Sequence, residues 1–366
     1  MENSVRHYDW CYVSGRVNIL ECSLLSSDFF ERLLSTDDFK DVLANLNNTP
    51  LKAYFTHVKH LYEFEVLLDE YYYNRLYEIR SLSPDSAVCD FFLLRNDVHN
   101  LKRFIKSKIL GASVDKFYRG TMNRDEWGDV WQDTSTALPE ILRESVSFVK
   151  KVILQHDHNQ ITQHISPTSQ GGGGVMVKKE SLPFIIDLIF DGAYLRYIED
   201  FYKKIEVEII KRYLEIYQLV KGLEVIQRAI SLSLDMQPLD QYFLEGFEQN
   251  HVFRRLVINK AWTSEKTLRE AFVGAYCNTP LLEQYFIQML SLNLFPKISY
   301  RYEVATDNYL LDMILPVKRV PFGPERVFGY LCGLTAEVFN LKLLLGGKVH
   351  RIENNLLRER LRKTYA

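Results

Sequence analysis

The sequence predicts an all-α protein, and three observations carry that reading. Glycine and proline number only 17 and 11 in 366 residues, so few positions interrupt a helix. Long stretches repeat apolar residues at three- and four-residue spacing, the mark of helices that bury one face. Sustained two-residue alternation, which would mark half-buried strands, is scarce.

The elements follow in order. Ser35-Thr36 precedes Asp37-Asp38, and acids in a first turn favour a helix N-terminus. Leu61–Arg80 sets Leu61, Phe64, Leu67, Leu68, Tyr71 and Tyr72 on one broad stripe. Phe92–Leu110, Pro183–Ile209 and Arg212–Leu234 continue the helical pattern. Ser264-Glu265 opens a stripe through Leu268 and Phe272, and Gly323-Pro324-Glu325 sets proline at a first helical position. Pro324–Val349 is long and strongly apolar. With 22 Tyr and 22 Phe, many at helical spacing, the aromatic residues read as packing between helices. Gln155–Glu180 reads as a loop because it holds Pro167 and the run Gly171–Gly174. A second boundary is expected near 250–263. The implied organisation is a first helical unit over 1–150, a linker over 151–180, a second unit over 181–260 and a third over 261–366.

Two distant segments share one pattern. Asp97-Val98-His99-Asn100-Leu101-Lys102 is followed by Lys108, and Glu337-Val338-Phe339-Asn340-Leu341-Lys342 by Lys348. A second echo precedes each copy: Asn48-Thr49-Pro50-Leu51 with Tyr54-Phe55, and Asn278-Thr279-Pro280-Leu281 with Tyr285-Phe286. The fixed order implies a duplicated helical unit, and a duplicated unit suggests a scaffold more than a catalyst. Within a helix the acid and the Asn of the pattern share a face, with the first Lys to one side. Because a buried amide must be paired, the Asn reads as a polar clasp between helices or as a grip on a partner helix. Leu219–Glu224 is a degraded middle copy in which the acid, the Asn and the Lys are replaced.

Bulk chemistry excludes several classes. A net charge of −2 gives no strong field toward nucleic acid or anionic membrane. Met1–Gly15 lacks the apolar core of a signal peptide. No run of about 18 uncharged apolar residues occurs; the best stretch, Phe184–Ile198, is interrupted by Asp187, Asp191 and Arg196. No direct membrane span is therefore expected. The five cysteines (Cys11, Cys22, Cys89, Cys277 and Cys332) show no CxxC and read as buried thiols in a reducing compartment. Asp37-Asp38-Phe39-Lys40-Asp41 matches the DDxxD with which prenyl and terpene synthases hold magnesium diphosphate. The second metal motif fails, since Asn96-Asp97-Val98 is followed by Asn100 and Phe104 where a hydroxyl and an acid are required. His156, His158 and His164 have metal-ligand chemistry but lie beside the glycine run. That run lacks the Gly-Lys-Ser/Thr of a phosphate loop. No catalytic, cofactor or metal residues are assigned.

Phe92-Leu93-Leu94-Arg95-Asn96-Asp97-Val98-His99-Asn100-Leu101-Lys102, followed by Lys108-Ile109-Leu110-Gly111, resembles the signature of the central-stalk C subunits of V/A-type rotary ATPases, whose eukaryotic equivalents are the d subunits. Tyr12–Val17 and the C-terminal Tyr330–Arg362 resemble the family's opening and its last long helices. The sequence departs from the family where Leu219 and Gly222 replace an acid and an Asn, and across 120–180, with Trp127 and Trp131. The resemblance implies a funnel of three similar helical domains about a pseudo-threefold axis. It implies a non-catalytic rotor on the cytoplasmic face, seated on the membrane proteolipid ring and receiving the axle made by the D and F subunits. A rotor of this kind couples ATP turnover to proton or sodium transport. A generic α-helical scaffold is one alternative, and a magnesium-dependent prenyl or terpene synthase using Asp37, Asp38 and Asp41 is another.

Overall fold

The computed structural model describes residues 7–36, 38–56, 63–111, 114, 116–132, 137–165, 182–231, 239–248, 251–258 and 300–366. Among these residues the regular elements are helices, and no strand occurs. They are α1 (Cys11–Glu21), α2 (Ser27–Ser35), α3 (Phe39–Leu46), α4 (Lys52–Phe55), α5 (Phe64–Leu82), α6 (Ala87–Leu110), α7 (Trp127–Trp131), α8 (Glu140–Ile165), α9 (Leu182–Lys204) and α10 (Glu208–Ser231). After a π-helical turn at Leu239–Phe243 come α11 (Val252–Ile258), α12 (Tyr300–Ile314), α13 (Pro324–Val349) and α14 (Asn354–Arg360). The fold class is all-α, as the apolar periodicity predicts. The stripes expected over 61–80, 92–110 and 324–349 correspond to α5, α6 and α13; the stripe expected over 183–209 is broken, since α9 ends at Lys204 and α10 begins at Glu208, ahead of the start expected at 212.

Contacts divide the chain into two compact units: Met1–Phe92 with Ile205–Tyr217 and Gln284–Ala366, and Leu93–Lys204 with Gln218–Glu283. This grouping is discontinuous, whereas the units expected from the sequence are contiguous. The expected linker is helical in its first part, because α8 continues to Ile165. The physical reason is plain: the first proline or glycine after Gln155 is Pro167, so nothing before it halts the helix. The glycine run itself and the histidine side chains of α8 lie outside the described residues; of the boundary expected near 250–263, the described part carries the short α11 (Val252–Ile258), and 259–263 lie outside the described residues.

In the first unit, α13 is the central helix. Val327, Phe328, Leu331, Leu334, Leu341 and Leu345 are each fully buried, and α5 and α1 pack along it. Among the described residues α13, and not the stretch Phe184–Ile198 that the sequence puts first, is long and apolar enough to cross a membrane, yet most of its apolar window is buried inside the protein. It is a core helix. Phe328 anchors an aromatic group, with ring centroids of Tyr213, Phe92 and Phe91 at 5.0, 5.3 and 5.7 Å. Tilted and edge-on contacts of this kind add to plain area burial. Arg326 enters the same core, where Nε donates to Asn18 Oδ1 at 2.9 Å and Nη2 pairs with Glu21. The C-terminal Tyr365 is buried over Gly329 and Gly333, where a β-carbon would fall 2.8 Å from its hydroxyl oxygen and 2.6 Å from its Cβ. Lys318 Nζ donates to the Tyr365 carbonyl at 2.7 Å, so the tail is fastened to the core.

In the second unit, α8 and α9 pack as a pair, and α9 receives the π-helical turn. Gly192 permits that approach, since a β-carbon there would lie 2.4 Å from the Phe243 carbonyl oxygen. Trp127 is buried and stacks on Phe117 at 5.3 Å.

Cysteine placement differs from the expectation. Cys89 and Cys332 are buried, whereas Cys11 and Cys22 are exposed, at the two ends of α1. The helix buries Val13, Val17 and Leu20, and 11 and 22 lie off that face. Cys277 is outside the described residues.

Gly333→Ala is expected to destabilise the chain by roughly 1–3 kcal/mol through overpacking against Tyr365. Urea unfolding of Gly333→Ala, Tyr365→Ala and the double variant checks this, with the double variant less destabilised than the two effects summed.

Candidate functional site: a repeated amide clasp

The two copies of the sequence pattern occupy α6 and α13. Asp97, Asn100, Glu337 and Asn340 are all buried, which obliges each to find partners. Asn100 meets the main chain of Tyr118 in both directions: its Nδ2 donates to the Tyr118 carbonyl at 2.8 Å, and the Tyr118 N–H donates to its Oδ1 at 2.8 Å. Asn340 does the same with Arg362, at 2.9 Å and 2.9 Å. Each amide therefore acts as one rung of a sheet, holding a passing main-chain segment against a helix. Asparagine suits this task because its amide carries a donor and an acceptor side by side, like a peptide group.

The acids differ between copies. Asp97 extends the clasp, accepting from Thr121 Oγ1 at 2.6 Å and from the Thr121 N–H at 2.9 Å. The main chain approaches so closely that a β-carbon on Gly120 would lie 1.9 Å from Asp97 Oδ1. Glu337 instead accepts from the Leu25 N–H at 2.5 Å and from the Tyr71 hydroxyl at 3.1 Å. It ties α13 to α5 and to the turn after α1. Burial pushes the Glu337 carboxyl up to about 7, against the opposing effect of these two hydrogen bonds and of Arg75.

The lysines make lateral ties. Lys102 pairs with Asp191 of α9, and one turn on Lys106 pairs with Asp187 at 2.6 Å. Lys342 pairs with Asp69 of α5 at 2.5 Å. The first lysine of each copy thus reaches an aspartate on a neighbouring helix. Lys108 lies over the Phe104 ring at 5.3 Å. Lys348 donates to the Leu34 carbonyl at 2.6 Å and to Asn354 Oδ1 at 2.9 Å, a favourable place for a cation near the C-terminus of α2.

The middle copy follows another rule. At the Asn position stands Gly222, where a β-carbon would fall 2.1 Å from the Phe253 ring. Phe253 is fully buried, so an aromatic ring from a later segment fills the place of the amide clasp. Of the second echo, Thr49 Oγ1 donates to the Leu46 carbonyl at 2.6 Å and accepts from the Leu51 N–H at 3.2 Å. This is a local turn at the end of α3. Its counterpart at 278–281 lies outside the described residues.

The DDxxD segment resolves differently. Asp38 caps α3, accepting from the Lys40 N–H at 2.9 Å, and Asp41 sits in the first turn. Asp37 lies outside the described residues. Among the described residues no group of three or more acids, histidines or cysteines could hold a metal.

Reasoning from the sequence missed Tyr118, Gly120, Thr121, Phe253 and Arg362. All but Phe253, which is on the short α11, lie in irregular segments without periodicity. Gly120, next to Arg119, was the one available signal of a close approach.

The repeated polar residues are thus spent on holding helices and passing main chain together. Residues 13–360 match the ATP synthase (C/AC39) subunit family. The chain is 23% identical to the C subunit of the A-type ATP synthase of Methanocaldococcus jannaschii, over 96% of this chain and 86% of the relative. It is 20% identical to the C subunit of the V-type sodium ATPase of Enterococcus hirae, over 94% of this chain and 95% of the relative. The chain belongs to the ATP synthase (C/AC39) subunit family, whose members are structural stalk subunits and not themselves catalytic.

Asn340→Ala would orphan the Arg362 N–H and carbonyl and is expected to cost roughly 2–4 kcal/mol; chemical denaturation measures it. Glu337→Gln tests the buried acid. Because its folded pKa lies above the ordinary glutamate value of 4.5, the protonated form stabilises the fold. That contribution is complete below about pH 4.5 and is lost as pH rises through about 7. The wild type should therefore lose stability relative to Glu337→Gln between about pH 5 and 8, by on the order of 2–3 kcal/mol. Thermal melts of both proteins across that range read the difference.

Proposed function

We propose that this chain is the rotor adaptor of a V/A-type ATPase. It links the axle of the D and F subunits to the membrane proteolipid ring and so couples ATP turnover to proton or sodium transport. In this reading it sits on the cytoplasmic face of the membrane, peripheral through the ring. Three similar helical domains, centred on the 97–102, 219–224 and 337–342 segments, form a funnel about a pseudo-threefold axis.

The observation that carries the reading is the match over nearly the whole chain to a stalk-subunit family. One relative is named for ATP synthesis and the other for a sodium ATPase. What such machines share is coupling, whichever way they run. The physical demands of that task fit the side chains. A torque coupler must resist shear between its helices, and the amide clasps and lysine–aspartate ties fix the position of one segment against the next. Close-packed aromatic cores add stiffness.

The test is a pull-down of the purified chain with the D–F pair from the same source, followed by native mass spectrometry. A one-to-one-to-one complex is expected. A folded, monodisperse chain that fails to associate contradicts the adaptor role and favours a scaffold outside the rotor.

A further inference from the structure

The motif position before each clasping Asn is exposed, and the clasped residue packs against it. In α13 this residue is Phe339, 41% exposed, with the Arg362 guanidinium 3.8 Å above its ring. In α6 it is His99, also exposed, with the Tyr118 ring edge-on at 5.0 Å. The two surfaces are equivalent in construction, but they are finished differently.

In the α13 copy an acidic helix completes the surface. Arg362 pairs with Asp307 at 2.9 Å and with Glu303 at 3.8 Å, two carboxylates four residues apart on α12. They lie on one face, one turn apart. With these partners the Arg362 side chain is only 7% exposed. The same device recurs on another face of α6, where Asp187 and Asp191 of α9, again four apart, meet Lys106 and Lys102. This chain therefore uses one recognition rule repeatedly: a helix with carboxylates at four-residue spacing docks on cations presented beside the motif.

Beside the α6 copy, Lys116 and Arg119 are exposed and Arg103 is half-buried. Arg103 lies over the Tyr118 ring at 5.7 Å. Tyr118, between Lys116 and Arg119, is 41% exposed. Asn100 holds this segment in place through its main chain, and Asn96 Nδ2 adds a bond to the Arg119 carbonyl at 2.7 Å. The side chains are thus presented on a fixed frame, which lowers the ordering cost of binding. An arginine stacked on an aromatic ring suits bidentate capture of carboxylates, and the exposed Arg119 follows Tyr118 in the chain.

We propose that the face formed by His99, Arg103, Tyr118 and Arg119 is a docking surface for a partner protein's helix that carries carboxylates four residues apart. It is the intermolecular counterpart of what α12 does for Arg362. The inference stands on the chemistry of this face and is independent of the rotor role.

The test uses the full chain and a fluorescein-labelled, alanine-based helical peptide with glutamates at four-residue spacing, read by fluorescence anisotropy. Saturable, salt-sensitive binding is expected. Arg103→Glu/Arg119→Glu should weaken it at least about tenfold, and Arg103→Gln/Arg119→Gln should weaken it less. Circular dichroism and thermal melting establish that the variants fold. A peptide of equal charge with its glutamates redistributed off one face should bind at least about threefold more weakly. Absence of saturable binding overturns the proposal, as does equal binding of the two peptides or indifference to the Arg103/Arg119 reversals. Phosphatidylglycerol vesicles provide the last arm. Vesicle binding that the charge reversal abolishes, without peptide binding, would assign the face to a membrane and overturn the proposal.

Discussion

A buried asparagine amide paired with a passing main chain is the interaction on which this structure depends. Helix packing alone is non-directional, since apolar stripes can slide or rotate against each other with modest loss of buried area. The Asn100 and Asn340 amides remove that freedom. Each fixes one peptide unit at hydrogen-bond distance from one point on a helix, inside a region where an unmade bond is costly. Around that point the other features fall into place: the close approach of Gly120 to Asp97, the burial of Tyr365 over Gly329 and Gly333, and the lateral lysine–aspartate ties. At 219–224 no side-chain amide is present, and the Phe253 ring packs against Gly222.

This economy leaves most of the sequence free to vary. A helix needs only an apolar stripe, which many residues satisfy. A clasp needs one side chain with a donor and an acceptor in fixed geometry, opposite a main chain that any residue can supply. Tyr118 and Arg362 share no side-chain chemistry, yet both are held in the same way. Their side chains are then free to specialise: Arg362 is turned inward to acids of its own chain, and Tyr118 outward.

Much of the architecture was legible in the sequence. Helices α5, α6, α9, α10 and α13 follow from apolar periodicity, and the start of α13 from Gly323-Pro324-Glu325. The motif residues were legible as an echo, although the Asn expected to clasp one helix to another instead holds irregular main chain. Their partners were not, since Tyr118 and Arg362 lie in irregular segments whose contribution is main chain, and main chain leaves no trace in a residue pattern. Two expectations failed for identifiable reasons. A loop is expected from Gln155, although nothing before Pro167 stops α8. The cysteines read as buried, although Cys11 and Cys22 lie off the face of α1 that buries Val13, Val17 and Leu20.

The most direct measurement of the clasp is amide hydrogen exchange at Tyr118 and Arg362 in the native chain. Both N–H groups lie outside helices, yet each is bonded to a buried Asn. Both should be protected to the level of the core amides of α6 and α13, and protection at Arg362 should collapse selectively in Asn340→Ala. Exchange at the rate of an exposed loop amide in the wild type would contradict the clasp.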